Sequence, residues 1–206
     1  MEGMLMKEIK NVAILIFEDV EILDFCGPFE VFSITARDTN LNVYTVAEKI
    51  TPILTYNKLS VNPHYSIFDC PEPDIVLIPG GKGSRKEMNN PIIINWIKSV
   101  SKNAELVLSV CTGAFLLAKA DLLDNLEITT HHLSLEFLKE IAPSSAKVRE
   151  GVRFIDNGKV VLSAGISAGI DMSLYVVERI FGKEKALNTA SIMEYEWNPE
   201  HGIKLI

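Results

Sequence analysis

Four short apolar runs rich in β-branched residues, separated by stretches with helical spacing, leave this chain few folds to choose from. The runs are Val12–Phe17, Leu41–Ala47, Ile75–Ile78 and Leu106–Val110. Nearly continuous apolar character marks strands covered on both faces, which is the condition of a parallel sheet. Between the runs, Phe25, Phe29, Phe32 and Ala36 recur at i, i+4, i+7 and i+11, and so do Ile170, Leu174, Val177 and Phe181. That spacing puts each set on one face of a helix, turned toward the sheet. Further helices are predicted at Pro91–Val100, Gly113–Ala120, Ser134–Ile141 and Lys183–Met193. The resulting β-α-β-α order, with right-handed crossovers, predicts an α/β fold: an open, doubly wound three-layer sandwich around a mostly parallel central sheet.

Two segments depart from this alternation. Phe154–Leu162 holds an Asn157-Gly158 pair between apolar runs, a strong hairpin signal, while Leu54–Ile67 predicts a weaker hairpin with short strands around Asn62-Pro63. With no internal repeat and no linker rich in Gly, Ser or Pro, residues 1–206 are expected to form a single domain.

Composition narrows the function classes. The formal charge is −7, which argues against nucleic acid or anionic lipid as a partner. Hydrophobic residues make up 48% and charged residues 23%, enough for a well-packed core. The longest uncharged apolar stretch, Leu106–Ala118, falls short of the about 20 residues that a bilayer-spanning helix needs. Met1–Lys7 carries an early acid and opens no sustained apolar run, so export is not expected. Three cysteines, Cys26, Cys70 and Cys111, are odd in number and lack metal-ligand spacing, suggesting neither a disulfide framework nor a zinc site. A cytoplasmic location is expected.

The most informative stretch runs from Glu105 to Ala118, where an apolar strand passes directly into a helical pattern with Cys111 at the junction. A nucleophile on a sharp strand-to-helix turn needs small residues two positions away on either side, and Ser109 and Gly113 meet that need. The following helix N-terminus would favour thiolate over thiol. The same spacing also suits a buried cysteine acting as a small hydrophobe. Cys26 and Cys70 have no elbow context and read as packing residues.

Ile78-Pro79-Gly80-Gly81 closes another predicted strand. In an open α/β sheet the ligand crevice lies beyond the carboxyl ends of the strands, where this loop and the elbow both emerge. Backbone donors of Gly81 and Thr112 are therefore candidates for stabilising developing negative charge, with Gly80 beside them. An ordinary turn would use the same glycines.

Several blocks together resemble the DJ-1/PfpI superfamily, and within it the isonitrile hydratase-like branch. They are Val12–Phe17, Leu23–Phe32, Ile78–Gly81, Ser109–Ala114, Leu122–Asp124 with Thr129–His131, and Ser163–Asp171. The resemblance implies a flavodoxin-like sandwich with a nucleophile elbow, in which Cys111 is the nucleophile, Asp24 the adjacent acid and Thr112 a further site contact. It also implies a homodimer. His131 matches a histidine near the nucleophile in relatives, where it would bind substrate or tune charge. A carboxyl beside a thiol should share a proton with it, thiolate beside carboxylic acid being the expected arrangement. Read without the resemblance, Asp24 would cap the helix expected to begin near Gly27-Pro28, and Asp171 would complement the dipole of the last amphipathic helix.

Three departures sharpen the expectation. Thr112 stands where protease-like relatives carry His, which removes that dyad. Asp24 replaces the Glu of glyoxalase-like members, and His132 replaces an aromatic residue common in the hydratase branch. Related DNA-binding regulators append a helix-turn-helix region, and residues 1–206 are not expected to act as such a regulator. The expected activity is a cysteine-dependent lyase converting a small isonitrile to an N-substituted formamide, with no metal or organic cofactor. The alternatives are a glyoxalase-like enzyme on reactive carbonyls and a non-catalytic cysteine sensor.

Overall fold

The computed structural model describes residues 9–205; Met1–Lys7, the segment expected to carry no export signal, lies outside them. In chain order the elements are β1 (Asn11–Leu15), α1 (Ile22–Thr35), β2 (Asn42–Ala47), β3 (Ile53–Leu54), β4 (Ser60–Val61), β5 (Tyr65–Ser66), β6 (Ile75–Ile78), α2 (Ser84–Glu87), α3 (Pro91–Asn103) and β7 (Leu106–Val110). They continue with α4 (Ala114–Lys119), β8 (Glu127–Ile128), α5 (Leu135–Ile141), β9 (Lys147–Val148), β10 (Phe154–Asp156), β11 (Val160–Ser163), α6 (Ala168–Phe181), α7 (Lys183–Ile192) and β12 (Gly202–Lys204).

Eight strands form one sheet in the order β12-β10-β11-β7-β6-β1-β2-β5. Every pairing in it is parallel except the β10–β11 hairpin. The predicted apolar runs became its centre because both of their faces are covered. Helices α1, α6 and α7 pack together on one side, and α2, α3 and α5 gather around α4 on the other. Ile14, Leu77 and Leu108, on the three adjacent strands β1, β6 and β7, are completely buried between the layers. This is the predicted α/β sandwich.

Some boundaries moved for identifiable reasons. Helix α1 begins at Ile22, so Gly27 and Pro28 lie inside it. Pro28 has no N–H to give the Asp24 carbonyl four residues back, a cost the helix meets through its packing against α6 and α7. Helix α3 starts where Asn90 accepts a hydrogen bond from Ile92 N at 3.1 Å, with Pro91 at the first helical position. The hairpin predicted around Asn62-Pro63 turns earlier: β3 pairs with β4 across Thr55–Leu59, and Tyr65–Ser66 joins the main sheet instead. Strand β12 and the short β8–β9 pair were not predicted, since segments of two or three residues have no readable period.

Candidate active site

Three loops leave the carboxyl ends of the adjacent strands β1, β6 and β7 and converge. The first leads into α1, whose first turn carries Asp24, the second is Gly80-Gly81, and the third is Cys111 itself. At the elbow Cys111 has φ 56°, the left-handed region that non-glycine residues occupy at a cost of about 1–3 kcal/mol. The surroundings hold it there. Cys111 N donates to Ala164 O at 3.1 Å, and Thr130 Oγ1 donates to Cys111 O at 2.7 Å. Gly113 explains the small-residue requirement, because a Cβ at that position would stand 2.0 Å from Ile78 O.

Asp24 is 0% exposed and Cys111 5% exposed. The carboxyl does not cap α1; its Oδ2 accepts from Gly80 N at 3.0 Å. Its Oδ1 is sealed from water and makes no hydrogen bond of strict geometry. The Cys111 side chain and the Ile166 N–H are the remaining polar groups acting on the carboxyl. No cation is among those groups, and burial, reinforced by the charge of Glu21, pushes Asp24 up to about 7. Burial, then the negative charge of Asp24, pushes the Cys111 thiol up to about 12.

The expected thiolate is thereby corrected. Helix α4 is only six residues long and follows a 3-10 turn, so its dipole is outweighed by desolvation and by the neighbouring acid. Both groups are raised, so two anions side by side are disfavoured and the pair keeps a proton in common.

Two further expectations are revised. Gly81 N does not face an open site, since it donates to Thr112 Oγ1 at 3.0 Å. The Thr112 hydroxyl also takes a 2.8 Å hydrogen bond from Ser84 Oγ, so this side chain ties the Gly81 loop to the elbow. Gly81 itself has φ 116°, a conformation that favours glycine. Thr112 N acts on the sulfur as expected, and Ile166 N takes the place expected of Gly81. Ile166 was not singled out from sequence, and it is unusual: a β-branched residue at φ 54°. Nothing in an isoleucine codes for that conformation; the Gly165-Ile166-Ser167 loop after β11 imposes it.

His131 lies beside the elbow rather than in contact with the sulfur. Its ring packs against Gly165, where a Cβ would stand 2.2 Å from His131 Cδ2, and its Nδ1 accepts from Leu133 N at 3.2 Å. It lines a cavity of about 360 Å³ together with Thr130, Arg153, Ala164 and Ile166. Another cavity, of about 160 Å³, opens by Phe17, Ala47 and Glu87 and touches neither Cys111 nor Asp24. Asp171 does stand in the first turn of α6, but it is buried and held by Arg153 Nε at 2.6 Å and Tyr195 OH at 2.9 Å, an ion pair rather than a dipole contact alone. Cys26 and Cys70 are half-buried, with burial raising both thiols. Among the described residues no group of three His, Cys, Asp or Glu could hold a metal, and no helix is long and apolar enough to cross a membrane.

Comparison with known proteins gives this geometry its relatives. A model of the DJ-1/PfpI family matches residues 10–179. The chain is 29% identical over 185 residues to an isonitrile hydratase of Pseudomonas putida, spanning 90% of this chain and 78% of that protein. It is 25% identical over 139 residues to the HTH-type transcriptional regulator CdhR of Pseudomonas aeruginosa, of which it spans only 40%. Among solved structures, a ThiJ/PfpI family protein from Pseudomonas syringae superposes with a TM-score of 0.85 at 22% identity, covering 94% of this chain and 78% of that one. Drosophila melanogaster DJ-1beta superposes with a TM-score of 0.80 at 17% identity, covering 92% of this chain and all of that one. At such identities the two structures speak for the fold alone.

Proposed function

The chain belongs to the DJ-1/PfpI family, and from that premise we propose that it is a cysteine-dependent enzyme that hydrates a small isonitrile to an N-substituted formamide. One observation carries the reading. A fully buried carboxyl without a cation lies against a thiol on a strained elbow, and it titrates near neutrality. A structural carboxylate would be costly to keep there. A proton carrier for the neighbouring sulfur is matched to that task.

Asp24 takes the proton from Sγ as the sulfur attacks the terminal isonitrile carbon, and then delivers it to that same carbon. The S–H bond has been added across the carbon, leaving a thioimidate in which nitrogen is doubly bonded to a CH attached to sulfur. Asp24, again a carboxylate, then takes a proton from an attacking water and passes it to the nitrogen, so that water adds across the carbon–nitrogen double bond. Collapse of the resulting hydroxy-thioether releases the formamide and returns the proton to Cys111. One water is consumed, and no oxidant, metal or organic cofactor takes part.

The likeness to the Pseudomonas putida isonitrile hydratase supports this substrate class over reactive carbonyls. The test is formamide release from cyclohexyl isonitrile followed as a function of pH. The active form carries one proton on the pair, so kcat/KM should rise through about pH 7 as Asp24 ionises. Release that declines through that range contradicts the proton assignment. Absence of release with every isonitrile offered removes the substrate class.

A further inference from the structure

The cavity beside the elbow has a chemical character of its own. Neither Cys111 nor Asp24 lines it, but its walls adjoin the site, since Thr130 and Ala164 hold the Cys111 backbone and the Ile166 N–H acts on the sulfur. Although the chain carries a net charge of −7, no Asp or Glu lines this cavity, and its polar lining includes His131, His132 and Arg153.

Two of these keep a donor that no hydrogen bond among the described residues takes up. His131 Nδ1 accepts from Leu133 N, and burial together with nearby His132 and Arg85 lowers its pKa, so the ring is neutral with its hydrogen on Nε2. That N–H has no partner among the described residues. Arg153 is fixed from behind: Nε donates to Asp171 Oδ2, both terminal nitrogens reach Ser167 Oγ at 3.3 Å, and Asp171 is itself held by Tyr195. These contacts leave a hydrogen of Nη1 unassigned on a side chain that is 36% exposed. A rigid, partly exposed guanidinium with a spare N–H is suited to a planar oxyanion.

We propose that this cavity is an anion seat, in which Arg153 and His131 bind a carboxylate carried on the substrate remote from the carbon that Cys111 attacks. The inference rests on the reading of Cys111 as the attacking group, and it gives that reading a substrate class: small carboxylic acids bearing an isonitrile. Outside the lining, exposed Arg85 and the acid Glu21 both act on His131, Arg85 more strongly.

The deciding experiment needs no turnover. Alkylation of Cys111 by iodoacetamide is followed in the presence of butyrate or of butyramide, which have similar shape and differ in charge. The carboxylate should protect at a concentration at least about tenfold lower than the amide. The double variant Arg153→Gln with Asp171→Asn removes both charges together and leaves no lone buried carboxylate; it should lose that preference. Arg153→Lys keeps a charge without the fork and should retain only part of it, which preserves the test if the double variant fails to fold. Equal protection by the two compounds in the unaltered protein, or a preference that survives in a folded double variant, overturns the anion seat. A parallel assay compares 4-isocyanobutanoate with its amide. Turnover of neither sinks the isonitrile reading, while the protection ratio still decides the cavity.

Discussion

Asp24 and Asp156 are both 0% exposed, and the protein surrounds them in opposite ways. At the end of β10, Asp156 accepts from Tyr175 OH at 2.7 Å, from Gly158 N at 2.7 Å and from Arg179 Nη1 on both oxygens. Every lone-pair direction is answered, and a cation balances the charge. Asp24 has one strict hydrogen bond, a sealed second oxygen and a thiol for a neighbour. Burial is the same in both places; the difference lies in the partners. A carboxylate with a full set of donors stabilises the fold, whereas one deprived of them stores free energy as a raised pKa and keeps its proton mobile.

The largest expected effect that could break this contrast is at the sulfur. Cys111→Ala should lower isonitrile turnover by about 10⁴-fold or more, because no other group at the elbow can form the covalent bond. Normal formamide release by this variant would end the mechanism. Asp24→Asn should cost about 10²- to 10⁴-fold in kcat, the usual worth of a positioned general acid–base.

Asp156→Ala should behave in the reverse manner, destabilising the fold by about 3–5 kcal/mol in urea titration because Arg179 and Tyr175 lose their anion. The kcat of whatever remains folded should be unchanged. A variant of Asp156 that folds normally but turns over slowly would erase the distinction between the two carboxylates.

The smallest effect sharpens the comparison through pH. Asp24 ionises near 3.8 when unfolded and near 7 when folded, so between those values the native state binds more protons than the unfolded state. Its contribution to stability therefore falls as pH rises from about 4 to 7, by up to about 4 kcal/mol. Asp24→Asn should flatten that decline and leave the protein more stable than its parent at pH 8. Thermal melts across the range would show this, and a variant less stable at pH 8 would mean that the Gly80 hydrogen bond outweighs the burial cost.

Much of this was legible in the residues. Continuous apolar runs marked the central strands almost to the residue, because burial on both faces leaves no room for polar alternation. Ser109 and Gly113 announced the elbow, since clearance next to a strained backbone is a property of side-chain size. Thr112 was found as a backbone donor, but the N–H of Gly81 was misread: which N–H is free to face a ligand depends on the groups across the loop. Without the resemblance Asp24 would have read as a cap, because Pro28 looked like a start signal; only the packing of α1 against α6 and α7 shows the helix running through that proline. Ile166 and Arg153 had no local mark at all.

Sequence by itself determined the layers, the order of the sheet's central strands along the chain and the elbow on which Cys111 sits, because periodicity and residue size are written locally. Tertiary structure alone decided the proton. Whether a thiol ionises and whether a carboxyl stays charged depend on how much water, and how many donors, the folded chain leaves around them, and those surroundings are assembled from residues that lie far apart along the chain.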